Sequence, residues 1–271
     1  MTPLIISADD YAQSAAIDDG IIDLIGQERL TATSCLTLSP RWPDAAKLLN
    51  NDVQSLADIG LHLDFTQFAQ TRYPLAMLIA RAVTRSLSAK AIKRSINSQL
   101  DRFEDALGKA PDYIDGHQHV HQLPKIRDAL VEIISRRYVG KLPWLRIANP
   151  PVQDGFKGWV IRNLGAENLR TNAKMAGVRC SESLLGVYDF SGNTASYMQK
   201  LGSWVTLAKS GDGVCALMCH PAKVSNSNTG KVTDPISQAR LREFEVFSSA
   251  GFLDLLKLHH IYPARGNAIS N

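Results

Sequence analysis

The chain has 271 residues, of which 45% are hydrophobic and 21% are charged, and its net charge at pH 7 is +4. These are ordinary values for a globular protein that is long enough to bury a sizeable core without staples. Most nucleic-acid-binding domains are strongly basic, and a net charge of +4 is small by comparison. We therefore expect no nucleic-acid partner.

Short apolar strands alternate with stretches of helical apolar spacing along the chain. Strands are predicted at residues 3–10, 32–40, 58–66, 112–120, 144–150, 177–186 and 213–222, and helices at residues 15–30, 41–51, 125–138 and 236–261. This alternation is typical of a parallel sheet covered by helices. About seven strands predict a single α/β domain over residues 1–271, with a (β/α) barrel-like fold that is a variant of the TIM barrel. An open doubly wound sheet is the alternative, although no Gly-rich phosphate fingerprint follows the first strand.

Two segments do not fit the alternation. Residues 149–176 contain two prolines and several glycines, and we interpret them as an insertion on the barrel rim. Residues 72–102 carry seven Lys and Arg but one acid, with apolar residues at helical spacing, which predicts a basic amphipathic helix or helix pair. A solvated outer helix is the ordinary interpretation, and the alternative is peripheral contact with an anionic membrane or a lipid-linked substrate.

The cysteines and the first residues bear on the compartment. Cys35, Cys180, Cys215 and Cys219 form no CxxC pair and are predicted to be buried thiols in a reducing compartment. The first ten residues lack the basic start and the apolar length of a signal peptide. No stretch approaches the roughly 18 apolar residues of a membrane span, so we expect a cytoplasmic protein.

Polar residues recur at the carboxyl ends of different predicted strands. They are Asp9, Asp10, His62, Asp115, His117, His119, His121, Arg146 and His220. In parallel α/β folds this edge of the sheet is where sites are built, and convergence from so many segments is hard to explain by packing. One carboxylate and two imidazoles around a metal would leave positions for water and substrate, as in a hydrolytic site.

The histidine run leaves its own geometry open. In an extended strand His117, His119 and His121 would share one face, whereas a helix that begins after His117 would align His117 with His121. Not all three therefore need to be ligands. His259 and His260, near the end of the chain, are expected to be ordinary hydrogen-bonded residues.

Several short motifs, taken together and in order, resemble the YdjC-like carbohydrate deacetylases of the ChbG/HpnK type. They are SADDYA, TATSCLTLSP, DIGLHLDFT, PDYIDGHQHVHQLP, WLRIANP and ALMCHPA over residues 4–222, followed by TDPISQARLREFEVFSS up to about residue 250. The family includes chitooligosaccharide and hopanoid-associated deacetylases. The resemblance implies a (β/α) barrel-like fold and metal-dependent removal of acetyl groups from N-acetylated sugars.

The resemblance also implies a role for each site residue. Asp10, His62 and His117 would be the metal ligands, Asp9 the general base and His220 the general acid, charged near neutral pH. Asp115 and His121 would hold the ligands or contact substrate, and Arg146 would bind sugar or steady a carboxylate. The chain departs from the family pattern at Ala12, Asp64 and Ala222, where glycine, asparagine and glycine are usual, and this puts the substrate in doubt more than the activity.

The partners and the metal follow in part from the same resemblance. We expect one divalent ion, Mg²⁺ by resemblance, whereas two imidazoles and a carboxylate chemically suit Zn²⁺, Mn²⁺ or Co²⁺. The expected substrate is an N-acetylhexosamine oligomer or a glycolipid, and a homodimer is left open. The alternatives are another metal-dependent hydrolase, such as a phosphoesterase, and a non-catalytic carbohydrate-binding relative.

Overall fold

In the computed structural model, which describes residues 1–211, 213–224 and 234–270, eight strands and eleven helices alternate along the chain. The strands are β1 (Thr2–Tyr11), β2 (Ala32–Cys35), β3 (Asp58–Leu63), β4 (Tyr113–Gly116), β5 (Trp144–Leu145), β6 (Leu184–Leu185), β7 (Cys215–Cys219) and β8 (Ile261–Pro263). The helices are α1 (Ala15–Gly26), α2 (Trp42–Leu48), α3 (Asn51–Leu56), α4 (Leu75–Val83), α5 (Ala89–Leu107), α6 (Ile126–Arg137), α7 (Gly155–Asn163), α8 (Ala166–Met175), α9 (Thr194–Ser210), α10 (Ser237–Ser248) and α11 (Ala250–Leu258).

The strands form one parallel sheet that curls into a half-barrel. Its order is β5-β4-β3-β2-β1-β7-β6, and β8 pairs with the beginning of β1. The two edges approach each other through a parallel bridge between Leu145 and Cys180 and through the Leu184 N–H, which donates to the Asn149 carbonyl. The predicted barrel-like fold with about seven parallel strands is confirmed. The curl brings the carboxyl ends of β1, β3, β4 and β7 toward one opening.

The central strand β1 is apolar because it is covered on both faces. Leu4, Ile5 and Ile6 have no exposed surface, and helices pack outside the sheet. Full burial of such a side chain stabilises the fold by about 1.5–3 kcal/mol. This buried strand therefore supplies a rigid base for the two aspartates at its carboxyl end.

Several elements differ from the sequence prediction, which did not include α3, α9 or β8 and made β5 and β6 longer than they are. The helix predicted at residues 236–261 is instead two helices, because Ser249 adopts an extended conformation with ψ of 152° and caps α11 by accepting the Phe252 N–H. Ile261, the last residue of that predicted helix, begins β8. The chain also leaves β4 at Gly116, earlier than the predicted residue 120.

The basic segment 72–102 forms the helix pair α4 and α5. Ser88 ends the linker between them and caps α5 by accepting the Ala91 N–H. Helix α5 buries Ile92, Ile96 and Leu100 at helical spacing, and its charged residues lie on the other side. None of the described helices has the length and apolarity needed to span a bilayer. Residues 149–176 contain α7 and α8, and the rim insertion there stays a prediction.

Candidate active site

A cavity of about 830 Å³ opens at the carboxyl ends of the strands. Five residues from four strand ends line it, namely Asp9, Asp10, His62, His117 and His220. Asp115, His121 and Arg146 lie outside the lining and are fully or almost fully buried. The fold thus gathers all eight predicted site residues into two layers, one facing the cavity and one behind it.

The two aspartates of β1 both reach the cavity because the strand is irregular at its end. Asp10 adopts a left-handed φ of 67°, and the pairing of β1 with β2 shifts register between Ala8 and Tyr11. In a regular strand consecutive side chains point to opposite faces. Aspartate is one of the residues that tolerates a positive φ. The irregularity therefore lets neighbouring carboxylates share one site.

The histidine run turns away from the strand into a tight 3₁₀ segment. Gln118 and His119 have φ values of 53° and 61°, so neither the strand nor the helix considered from the sequence describes residues 117–121. His117 faces Asp10, and His121 is buried behind the site. His119 lines the cavity, but it is not among the mutually close ligand atoms found in the described residues.

Asp10, His62 and His117 present ligand atoms that lie within 4.8 Å of one another. The Asp10 Oδ1 atom is 3.0 Å from His117 Nδ1 and 3.5 Å from His62 Nε2. Behind His62, the Asp115 Oδ1 atom is 2.6 Å from Nδ1, which places a proton on Nδ1 and leaves Nε2 facing the cavity. This donor set fits a divalent cation.

A second group of close ligand atoms, Asp9, His62 and Asp115, fits a cation less well. Both Asp9 oxygens accept hydrogen bonds from Arg146, at 2.6 and 2.7 Å. The two Asp115 oxygens face His62 and Arg146, the latter at 2.8 Å. A cation in this group would compete with a buried guanidinium, whereas Asp10 Oδ1 faces imidazoles. The first group is therefore the better candidate.

Arg146 holds Asp9 in a fixed orientation. The guanidinium is 1% exposed, and the carboxylates of Asp115 and Asp9 raise its pKa although burial opposes this, so it stays charged. Burial lowers the pKa of His121 to about 4 and keeps its ring neutral. Its one proton lies on Nε2, which donates to the Arg146 carbonyl at 2.9 Å. Arg146 therefore steadies carboxylates, and it does not line the cavity.

The pKa values of the candidate ligands Asp10 and His62 are shifted by nearby charged side chains. Burial opposes the charged forms of both Asp10 and His62. Arg240 and the two histidines nevertheless hold the pKa of Asp10 well below its usual range. The carboxylates of Asp115, Asp9 and Asp10 raise the pKa of His62 to about 10. Both nitrogens of His62 therefore carry a proton in this structure, and a cation bound to Nε2 would displace the Nε2 proton.

Two residues of α10 belong to the site but were not predicted from the sequence. Arg240 Nη2 donates to Asp10 Oδ2 at 2.6 Å, which leaves Oδ1 facing the histidines. Glu243 Oε2 accepts the His220 backbone N–H at 2.5 Å. Arg240 and Glu243 are three residues apart and therefore lie on one face of α10. This spacing is the feature of the sequence that could have identified them. Both residues lie in the motif TDPISQARLREFEVFSS, whose first residue, Thr233, is outside the described residues.

His220 differs from the expectation that it is charged near neutral pH. Burial lowers its pKa to about 4, although the carboxylates of Asp10 and Asp9 act in the opposite direction. The ring packs edge-on against Phe190, with 5.4 Å between centroids. The imidazole is therefore neutral at pH 7 in this structure.

The structure shows the local geometry at two of the positions where the chain departs from the family pattern. Ala12 has a left-handed φ of 73°, the conformation in which the usual glycine has no steric cost. The Asp64 carboxylate accepts four consecutive backbone N–H groups, those of residues 66–69, at 2.6–3.1 Å. An asparagine offers one acceptor oxygen in place of two, so Asp64 holds this loop more completely.

Glu243 predicts a distinct dependence of stability on pH. Burial raises the pKa of this carboxyl to about 7, although the His220 N–H, the Tyr188 hydroxyl and Arg240 favour its ionised form. A raised pKa in the folded state gives stability that is complete below about pH 4.3 and lost as pH rises through 7. Between pH 5 and pH 8 the urea midpoint of wild type should therefore fall more than that of Glu243→Gln. Equal falls would show that the carboxyl does not titrate in this range, and Glu245→Gln on the same helix is the exposed control.

Comparisons with known proteins identify the family of the chain. The model of the YdjC-like protein family matches residues 3–258. A chitooligosaccharide deacetylase from Citrobacter koseri is 27% identical over 256 residues, which cover 91% of each chain. A carbohydrate deacetylase from Mus musculus is 24% identical over 169 residues, 52% of this chain and 54% of that protein, so the match spans about half of the mouse relative.

One solved structure shares the fold over nearly its whole length. It is a crystal structure from Enterococcus faecalis V583 whose protein is named for cellobiose-phosphate cleavage. The TM-score is 0.72 at 20% identity, and the match covers 97% of both chains. At this identity the likeness concerns the fold, whereas the family model covers the strand ends that carry the eight predicted site residues. The chain belongs to the YdjC-like protein family.

Proposed function

We propose that this protein is a metal-dependent carbohydrate deacetylase that hydrolyses the acetamide of an N-acetylated sugar. The observation that carries the proposal is the convergence of Asp10, His62 and His117 with Asp9 and His220 on one cavity. A ligand set, a fixed carboxylate and an imidazole in one cavity are groups that suit metal-dependent amide hydrolysis. The names of the relatives from C. koseri and M. musculus support the same substrate class.

The residues have separate roles in this proposal. A divalent ion held by Asp10, His62 and His117 would supply Lewis acidity, lowering the pKa of water and polarising the acetyl carbonyl. Asp9, oriented by Arg146, accepts the proton of the attacking water. His220 delivers a proton to the nitrogen, because an amide does not leave as an anion. Since its ring starts neutral, His220 takes that proton from solvent as negative charge develops on the substrate, and the proton that Asp9 removed from water returns to solvent when acetate leaves.

The ligand chemistry favours some ions over others. Mg²⁺ prefers oxygen ligands and keeps several waters, whereas two imidazoles and one carboxylate suit Zn²⁺, Mn²⁺ or Co²⁺. We therefore propose one of these three ions, although the family resemblance suggests Mg²⁺. The cytoplasmic location and the homodimer stay predictions.

Release of acetate tests the proposal directly. Chelated protein, with Zn²⁺, Mn²⁺, Co²⁺ or Mg²⁺ added back, should release acetate from N-acetylglucosamine or its oligomers and glycosides, and the chelated protein alone should not. A panel of phosphate esters is the matched negative set, because both arginines beside the candidate metal site, Arg146 and Arg240, already pair with carboxylates. Phosphate release without acetate release would replace this function with that of a phosphoesterase.

A further inference from the structure

Two polar side chains inside the half-barrel lie outside the cavity. Ser7 of β1 and Tyr113 of β4 are completely buried. Neither lines the cavity or belongs to the groups of close ligand atoms found in the described residues. We call these two residues the interior pair. Ser7 precedes Asp9 by two residues, a spacing that places both side chains on one face of β1, so the interior pair lies behind the candidate base.

Ser7 completes the hydrogen bonding of one Arg146 nitrogen. The Nη1 atom carries two hydrogens, and it donates to Asp9 Oδ1 at 2.6 Å and to Ser7 Oγ at 3.1 Å. The Nη2 atom donates to Asp9 Oδ2 at 2.7 Å and lies 2.8 Å from Asp115 Oδ2. The guanidinium is therefore held between two carboxylates and one hydroxyl, and Ser7 is its neutral contact.

Tyr113 in turn holds the hydroxyl of Ser7. The Tyr113 hydroxyl oxygen is 2.9 Å from Ser7 Oγ. The tyrosine ring stacks on Trp144 with 4.4 Å between centroids, and a side chain at Gly60 would place its Cβ only 2.4 Å from the ring. Trp144 is fixed in its turn by its indole N–H, which donates to Asp58 Oδ2 at 3.1 Å. Packing thus fixes the orientation from which Tyr113 meets Ser7.

Packing alone does not explain a hydroxyl at position 7. Ile5, Ala32 and Ala216 pack beside Tyr113 in an apolar cluster of the barrel interior. A small apolar residue in place of Ser7 would extend this cluster, and a buried polar group costs free energy unless it is hydrogen-bonded. The side-chain contacts of Ser7 are with Arg146 and Tyr113. The guanidinium is therefore the group that this hydroxyl serves.

We propose that the interior pair positions the base of the reaction, because it acts through Arg146 to orient the Asp9 carboxylate toward the attacking water. The inference rests on the proposed deacetylase function, in which Asp9 accepts the proton of that water. Without the Ser7 hydroxyl, one hydrogen of Nη1 has no partner and the guanidinium is free to tilt toward Asp115. Asp9 moves with it, and a displacement of about 1 Å at a catalytic group costs about 100-fold in rate.

Ser7→Ala and Tyr113→Phe each remove one hydroxyl and test the proposal. The assay uses metal-saturated protein and whichever N-acetylglucosamine oligomer or glycoside releases acetate fastest. We expect kcat to fall about 10- to 100-fold in Ser7→Ala and about 3- to 10-fold in Tyr113→Phe, which keeps the contact between Ser7 and Arg146. KM and metal content should stay at the wild-type values, because no hydrogen bond in the described residues joins the interior pair to a candidate metal ligand.

Two control variants remove buried hydroxyls elsewhere. Thr31→Val removes the hydroxyl that accepts the Ile6 N–H of β1 at 3.0 Å, and Tyr138→Phe removes the hydroxyl that donates to Glu104. Both should lower the urea midpoint and keep the wild-type kcat. A kcat of Ser7→Ala and of Tyr113→Phe equal to wild type, or falls in kcat as large in the two controls, would overturn the positioning role.

A double-mutant cycle shows whether Ser7 acts through Asp9. In Asp9→Asn, which cannot accept the proton, adding Ser7→Ala should change kcat by less than about twofold, although the same substitution costs at least about tenfold when Asp9 is present. Losses that multiply in the double variant would mean that Ser7 acts independently of Asp9, and this would overturn the proposal.

The guanidinium of Arg146 reports the contact without turnover. In ¹H–¹⁵N spectra at neutral pH, the held Nη groups should give resolved signals, assigned by their contacts to the Tyr113 ring and by their absence in Arg146→Lys. These signals should disappear in Ser7→Ala and persist in Thr31→Val. Their persistence in Ser7→Ala would overturn the proposal even if kcat falls. If no form of the protein releases acetate, the deacetylase function fails, and these spectra still decide whether Ser7 holds Arg146.

Discussion

His117→Ala is expected to lose bound metal and acetate release together. His117 supplies one of three candidate ligands, and its nitrogen lies 3.0 Å from the Asp10 oxygen that faces the site. Loss of residues that only support a ligand typically weakens metal binding 10–100-fold. Loss of the ligand itself should therefore weaken binding by more than about 100-fold, which isothermal titration of chelated protein with Zn²⁺ or Mn²⁺ would measure.

His119→Ala is the control for this prediction. His119 lies two residues away and lines the same cavity, but it is outside the group of close ligand atoms. It should keep the wild-type metal affinity. A metal stoichiometry and affinity of His117→Ala equal to wild type would mean that the ligand set is wrong.

The second large effect concerns proton transfer. Asp9→Asn and His220→Ala should each retain the metal and lose roughly two to four orders of magnitude in kcat. Asp9 has both oxygens on Arg146, so the asparagine keeps the shape but cannot accept the proton. His220 contributes its backbone N–H to Glu243, and that bond survives in the alanine variant. Turnover under saturating substrate and metal content per chain are measured together.

Asp10→Asn provides the contrast, because it removes a candidate ligand and should lower metal content. Metal loss in Asp9→Asn, with an unchanged circular dichroism spectrum, would instead make Asp9 a ligand. A kcat of His220→Ala within about threefold of wild type would remove His220 from proton transfer. The two variants therefore test the separation between metal binding and acid–base chemistry.

Sequence reasoning was most successful for the strands and their ends. The apolar run at residues 3–10 ends in Asp10, and the run at residues 213–222 ends just past His220. In a curled parallel sheet the carboxyl ends of such strands lie close together. It was least successful where the backbone leaves regular geometry. The 3₁₀ turn after Gly116 depends on left-handed conformations of Gln118 and His119, which no periodicity signals.

The sequence by itself therefore determined the fold class and the residue types at the strand ends, since both depend on local periodicity. The tertiary structure decided how those residues are charged and paired. Arg240 reaches Asp10 across 230 residues of chain, and burial makes His220 neutral. It also decided that α4 and α7 face one cavity with their aliphatic residues. Desolvation and contact between distant segments set these properties, and neither can be calculated from neighbouring residues in the chain.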